Sequence, residues 1–168
     1  MTRVMALCFI LSFLIPGCTS TIKYTKPVTF AISNDTTNTW FDENQVFVIN
    51  TEEYPKEYQI LVKSGRFKVV DNQAAAHLRL QKVQFYGGCG NPLMGTFLTL
   101  GILPSATLSH YLFRFTIEQD GQKTEYEYIL PMEQRYSLWE WLRKPFVNET
   151  AILSEALRNS APYNVQEK

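Results

Sequence analysis

Few residues in this chain have a type and spacing suited to chemistry. The histidines are His77 and His110, and the thiol between them belongs to Cys89. Imidazole and thiolate groups are common zinc ligands, so these three side chains are candidate metal ligands. The Cys89 thiol with either histidine is also a candidate nucleophile and general base. Their spacing matches no compact ligand motif, so both histidines are predicted to be ordinary sheet residues. No metal or other cofactor is expected.

Other candidate patterns also lack a necessary part. The glycine-rich segment 87–90 has no Lys-Ser/Thr pair of the kind that a phosphate-binding loop requires. No Gly-x-Ser-x-Gly elbow occurs. Glu125 and Glu127 are two residues apart on one predicted strand face, a spacing that more often marks solvated strand positions than a catalytic carboxylate pair. No catalytic residue is assigned, and the protein is predicted not to be an enzyme.

Cys18 is different, because it ends an apolar leader. Arg3 precedes a nearly continuous apolar run from Val4 to Ile15, and the run stops at Pro16-Gly17-Cys18. An export signal has a hydrophobic stretch of about 7–15 residues, whereas a spanning helix needs about 20. Residues 1–17 are therefore predicted to be a signal peptide. The alternative is an ordinary buried cysteine that follows a first core strand.

The segment Leu14-Ile15-Pro16-Gly17-Cys18 resembles the bacterial lipobox, although Pro16 stands where a small residue is commoner. The resemblance covers about the first 20 residues. It implies cleavage between Gly17 and Cys18, a diacylglycerol on the Cys18 thiol, and a fatty acid such as palmitate on the new amino terminus. Two or more acyl chains give stable membrane anchoring. Thr19 is not the Asp that retains Gram-negative lipoproteins on the inner membrane, so the resemblance implies the periplasmic face of the outer membrane.

The composition of the chain bounds the remaining functions. Lys and Arg number 16, as do Asp and Glu, so the charge is balanced. A near-neutral chain gives no electrostatic case for nucleic acid, which requires a basic patch. Once Cys8 leaves with the signal and Cys18 carries lipid, Cys89 is the remaining thiol and an intramolecular disulfide is excluded. Aromatic residues make up 14% of the chain, which favours strands.

Residues 28–160 are predicted to form a single α+β domain, with a mainly antiparallel sheet and helices packed on one face. A polar lipidated tether, 18–27, precedes it and a polar tail, 161–168, follows it. The firmest element is a hairpin, because alternating apolar residues from Tyr111 to Leu130 flank Asp120-Gly121.

Helices are predicted on both sides of this hairpin. The first starts near Thr51, has an apolar stripe at Tyr54, Tyr58, Leu61 and Val62, and ends at Gly65. A short helix capped by Ser137 reaches Leu142, and a second stripe comprises Ile152, Leu153, Ala156 and Leu157. Strands are predicted at Val28–Ser33, Arg66–Asp71 and Leu78–Phe85. A phase shift near Gln81-Lys82 predicts a bulge in the last of these.

Segment 46–85 is similar to a helix-and-strand pattern of bacterial envelope proteins, including the amino-terminal domain of the Tol-system propeller protein. Phe67-Lys68-Val69-Val70-Asp71 and Ala76-His77-Leu78-Arg79-Leu80 carry that likeness. The whole chain resembles small Gram-negative envelope lipoproteins of unassigned function, which have a Thr-Leu-Gly-Ile-Leu-Pro-like stretch, here Thr99–Pro104. These likenesses imply a fold and a location, but no activity.

An apolar insert, residues 92–108, is the most unusual segment after the leader. No charge occurs between Asn91 and Tyr111. Two interpretations remain open: a buried loop or strand, or a hydrophobic surface that contacts membrane lipid or an envelope protein. The candidate contact residues are Leu93, Met94, Phe97, Leu98, Leu100, Ile102, Leu103, Trp139 and Trp141.

Two functions follow. The first is a non-catalytic, lipid-anchored envelope lipoprotein that acts as an accessory, assembly or interaction factor. Its expected partners are membrane lipid, through Cys18, and an envelope protein. The second is a periplasmic enzyme or ligand-binding module that acts on lipid or cell-wall material.

Overall fold

The computed structural model describes residues 20–25, 45–72, 76–87, 98–99, 102–119 and 121–167. The strands within these ranges are β1 Ser20–Tyr24, β2 Gln45–Val48, β3 Lys68–Val69, β4 Ala76–Leu80, β5 Gln84–Gly87, β6 Ser105–Gln119, β7 Gln122–Tyr136 and β8 Asn164–Glu167. The α-helices are α1 Pro55–Ser64, α2 Leu138–Arg143 and α3 Glu149–Asn159, and a 3-10 turn, Lys144–Phe146, extends α2. The predicted strand at Val28–Ser33 lies outside the described residues.

The described strands form one mixed sheet in the order β1-β7-β6-β4-β2-β3, with β5 also beside β6 and β8 also beside β7. β2 is parallel to both β3 and β4, while β4 and β5 are antiparallel to β6, and β8 is antiparallel to β7. Parallel neighbours need a crossover connection, and α1 supplies it between β2 and β3. The α+β class is confirmed, with parallel pairs added to the antiparallel sheet.

The hairpin of β6 and β7 is confirmed, and both strands are longer than predicted. Gly121 lies in the tight turn with φ of 80°, a conformation that glycine adopts without steric cost. On the buried face, the ring of Phe115 stacks on Tyr126 and Tyr128, with centroids 5.3 and 5.7 Å apart. This aromatic stack lies in the hydrophobic core together with Phe113 and Leu130.

The bulge predicted near Gln81-Lys82 is confirmed by the register against β6. Leu80 lies opposite Phe115, and Gln84 lies opposite Leu112. The β4–β5 side therefore advances four residues while β6 advances three, which leaves one extra residue in the break. The backbone N–H of Gln81 donates to the carbonyl of Arg114 at 3.1 Å, so the ladder continues into the break.

Helices α1 and α3 bury their apolar sides in the same core as the sheet. The stripe on α3 is confirmed: Leu153, Ala156 and Leu157 are buried. The stripe on α1 is only partly correct, since Ile60 and Leu61 are buried whereas Val62 is exposed. The helix begins at Pro55 rather than near Thr51, and Gly65 ends it with φ of 67°.

Both polar ends of the predicted domain have more structure than expected. Residues 20–24, predicted to lie in a polar tether, form β1, with Thr21 and Ile22 buried. Their β-branched side chains suit a strand, whereas Lys23 is exposed and gives the segment its polar character. In the predicted tail, β8 pairs with β7.

Contacts along the chain group into two compact units. Unit 1 comprises residues 1–21, 89–107 and 134–147. Unit 2 comprises residues 22–88, 108–133 and 148–168, and contains α1, α3 and the hydrophobic core described above, from Ile22 to Leu157.

Candidate functional site: an exposed apolar face in unit 1

The start of the described chain is held in unit 1 by side-chain hydrogen bonds. The Nε2 of Gln134 donates to the Oγ of Ser20 at 2.9 Å. The hydroxyl of Thr21 donates to Oε2 of Glu140, a residue of α2 that is 5% exposed. These bonds join residues far apart in sequence, so the first described residues have a fixed place in unit 1.

Helix α2 directs its carboxylate inward. The backbone N–H of Glu140 donates to the Ser137 hydroxyl at 3.3 Å, which is the predicted N-cap. The Nη1 of Arg143 lies 3.4 Å from Oε1 of Glu140 and forms an ion pair with it. Both oxygens of this buried carboxylate therefore have partners within unit 1, as the burial of a charge requires.

The same helix directs apolar side chains outward. Trp139, Leu142 and Phe146 are spaced three and four residues apart, which puts them on one side of a helix. Trp139 is 54% exposed and Phe146 is 89% exposed. Helix α2 with its 3-10 extension thus has the reverse of the usual polarity, with an acid inside and large apolar residues outside.

Leu108 of the insert is exposed in unit 2, and in unit 1 the described part of the insert adds three exposed large apolar residues. These are Leu98, which is 74% exposed, Ile102 and Leu103. The backbone N–H of Ile102 donates to the Thr99 carbonyl at 3.1 Å, and that of Leu103 donates to the Thr99 hydroxyl at 3.2 Å, so both residues are held to Thr99.

Trp139 joins the helix to the insert. Its indole Nε1 donates to the carbonyl oxygen of Ile102 at 3.1 Å. We name the resulting exposed surface the apolar face; its residues are Leu98, Ile102, Leu103, Trp139, Leu142 and Phe146. All six belong to unit 1.

Four predicted contact residues lie on this face: Leu98, Ile102, Leu103 and Trp139. They are not buried, but the contact itself remains a prediction. Trp141 lies in α2 with its side chain outside the described residues. The other predicted site residues also lie outside them: Gly17, Cys18, Leu93, Met94, Phe97 and Leu100.

Sequence reasoning missed Leu142 and Phe146. Their spacing from Trp139 was a usable signal, but within this short capped helix the prediction named Trp139 and Trp141 alone. It also missed the bond between Thr21 and Glu140, which no local pattern indicates because 119 residues separate the two.

The histidines and glutamates considered for chemistry have separate surroundings in unit 2. The ring of His77 contacts the ring of Phe47 edge-on, with centroids 6.0 Å apart, and the ring of His110 stacks on that of Tyr86, with centroids 5.6 Å apart. Of the glutamates, Glu127 pairs with Arg114 at 2.8 Å, and Glu125 accepts a hydrogen bond from Gln81 at 3.2 Å. The described part of the chain contains no group of three His, Cys, Asp or Glu side chains placed to hold a metal. Cys89 lies outside it.

No helix within the described ranges has the length and apolar content needed to cross a membrane. No protein-family model matches the chain, and no curated protein matches it. A search of solved structures found the crystal structure of a minor lipoprotein from Acinetobacter baumannii, with 12% sequence identity and a TM-score of 0.38. The match covers 74% of this chain and 97% of the other.

Proposed function

We propose that this protein is a lipid-anchored lipoprotein of the bacterial cell envelope, with acyl chains on Cys18, and that it acts as a non-catalytic accessory, assembly or interaction factor. The order of charge, apolar run, glycine and cysteine at residues 3–18 supports the anchor. That order carries the proposal, and the structure adds that Ser20 and Thr21, just beyond the cysteine, are held by Gln134 and Glu140.

The short distance along the chain limits where the lipid can be. Consecutive Cα atoms of an extended chain advance at most about 3.6 Å per residue, so Cys18 stays within about 7 Å of Ser20. With β1 fixed in the sheet, Thr19 alone separates the acylated residue from the first described strand. The proposed anchor therefore holds unit 1 close to the membrane surface.

The proposed location is the periplasmic face of the outer membrane. Thr19 follows the acylated cysteine in place of the aspartate that marks inner-membrane retention in Gram-negative lipoproteins. An envelope protein is the proposed macromolecular partner, and nucleic acid is not one.

The proposed role is non-catalytic. Three of the titratable side chains singled out by the sequence have contacts with other residues: Glu127 with Arg114, His77 with Phe47, and His110 with Tyr86. A general acid–base or nucleophilic site needs such groups within hydrogen-bond reach of each other or of one substrate.

Metabolic labelling with an alkyne fatty acid tests the anchor. Cells expressing the native protein should incorporate the label, and the Cys18→Ala variant should lose it and accumulate as the unprocessed precursor. Cys89→Ala is the matched control, because it removes a thiol outside the lipobox and should keep full labelling. Label retained by Cys18→Ala would refute the proposal.

A further inference from the structure

The residues of the apolar face need an environment other than water. Six large apolar side chains are exposed together, and a surface of this kind usually marks an interaction site. We propose that the apolar face inserts into the bilayer interface beside the acyl chains of Cys18. Unit 1 then contacts the membrane directly as well as through its lipid anchor. This inference rests on the proposed function.

The position of the anchor favours membrane lipid as the occupant. Ser20 is bonded to Gln134 and Thr21 to Glu140, and both partners belong to the unit that contains the apolar face. An acylated Cys18 within about 7 Å of Ser20 keeps this unit against lipid at all times. Insertion of the acyl chains is the first binding event and docking of the apolar face is the second. Because the two are linked, the effective concentration of lipid at the face is high.

Three N–H groups of the face are bonded internally, which favours insertion. The indole N–H of Trp139 donates to Ile102, and the N–H groups of Ile102 and Leu103 donate to Thr99. An unsatisfied donor is costly in hydrocarbon, so these internal bonds lower the cost of transfer. Tryptophan is also a residue that favours the membrane–water boundary.

The exposed charge next to the face has the sign that membrane phosphates attract. Arg143 and Lys144 are exposed between Leu142 and Phe146. The acid of this segment, Glu140, is buried and paired with Thr21 and Arg143. Arg143 and Lys144 against Glu140 leave a net positive charge from Ser137 to Val147, and long basic side chains can extend from an apolar face to the headgroups.

Fluorescence quenching by brominated lipid tests this docking. The acylated full-length protein is placed in phosphatidylethanolamine–phosphatidylglycerol vesicles, with Trp40→Phe and Trp141→Phe leaving Trp139 as the single tryptophan of the three. Trp139 emission should be quenched most by bromines near the glycerol level and should be shielded from aqueous acrylamide. In the native background, Trp139→Phe should remove this quenched component, which covers the case in which the double tryptophan variant folds poorly.

A matched pair of double variants distinguishes the effect of changing the apolar face from the effect of removing exposed apolar side chains elsewhere. Leu142→Ser/Phe146→Ser should lower the ratio of docked to undocked protein about tenfold or more, the effect expected from withdrawing one such side chain from lipid. Ile49→Ser/Val62→Ser removes two exposed apolar residues of unit 2 and should leave the ratio unchanged.

Acylated protein whose Trp139 is unquenched and open to acrylamide would overturn the docking and leave the anchor intact. Trp139 shielded from acrylamide in native envelopes but unquenched by brominated lipid would also overturn it, in favour of a protein partner. Absence of acyl chains on Cys18 would refute the anchor, and the docking with it.

Discussion

Arg66 and Arg158 cap each other's helices. Arg66, just after α1, donates from Nε to the Leu157 carbonyl at 2.8 Å and from Nη2 to the carbonyls of Arg158 and Ser160 at the end of α3. Arg158 donates in return to the carbonyls of Ser64 and Lys63 at 2.8 and 2.9 Å. The last carbonyls of a helix lack partners within it, so each guanidinium stabilises the end of the other helix.

Removing one of these caps should destabilise unit 2. Arg66→Ala should lower the free energy of unfolding by about 2 kcal/mol, because several charge-assisted hydrogen bonds to carbonyls are lost. Arg66→Lys should recover little, since an ammonium cannot reproduce the forked donors of a guanidinium. Urea denaturation should show a lower midpoint with an unchanged slope.

The control for this series is Arg79→Ala, at an exposed position on β4. It should change the free energy of unfolding by no more than about 0.5 kcal/mol, as surface substitutions usually do. An Arg66→Ala midpoint equal to that of Arg79→Ala would show that the reciprocal caps contribute nothing.

Tyr128 should make the fold sensitive to alkali. Burial raises the pKa of its phenol to about 12, against an opposing effect of the positive charge on Arg66, whose guanidinium lies 5.2 Å from the ring centroid. The ordinary pKa of a tyrosine phenol is about 10. Its neutral form therefore contributes to the free energy of unfolding in full below pH about 10, and this contribution is lost as the pH rises through about 12. It amounts to roughly 2–3 kcal/mol.

Tyr128→Phe should therefore flatten the fall in stability between pH about 10 and about 12, measured by urea denaturation at stepped pH. Tyr163→Phe is the control, because Tyr163 is exposed. Equal alkaline slopes for the native protein and Tyr128→Phe would mean that this phenol ionises normally in the folded state.

The bond from Thr21 to Glu140 should hold β1 in place. Thr21→Val keeps the shape but removes the hydroxyl donor, which leaves a buried carboxylate oxygen short of a partner. A loss of about 1–3 kcal/mol of local stability is expected. Amide hydrogen exchange should become faster in β1, whereas Thr116→Val, on β6, should leave β1 exchange unchanged. Unaltered exchange of β1 in Thr21→Val would contradict this role.

The elements that sequence patterns predicted are those whose signals are local. The hairpin follows from alternation around Gly121, α2 from the Ser137 cap, and the bulge from a phase shift at Gln81. The parallel pairing of β2 with β3 and β4 was not predictable in this way, because register between distant segments depends on the packed core. For the same reason the burial of Ile60 in place of Val62 was missed.

The apolar face was predicted in part. The uncharged insert and Trp139 were recognisable from composition, and Leu98, Ile102, Leu103 and Trp139 are exposed. The inward turn of Glu140 was not predictable, since a charged residue is rarely buried and its partner Thr21 belongs to a segment that looked like a solvated tether.

Mass spectrometry of the native protein from isolated envelopes tests the anchor most directly. The amino-terminal peptide should begin at Cys18 and carry a diacylglycerol on the thiol and a third acyl chain on the new amino group, while the peptide containing Cys89 carries no lipid. A mature protein that begins at another residue, or that begins at Cys18 without lipid, would contradict the proposal that covalent lipid holds this protein on the membrane.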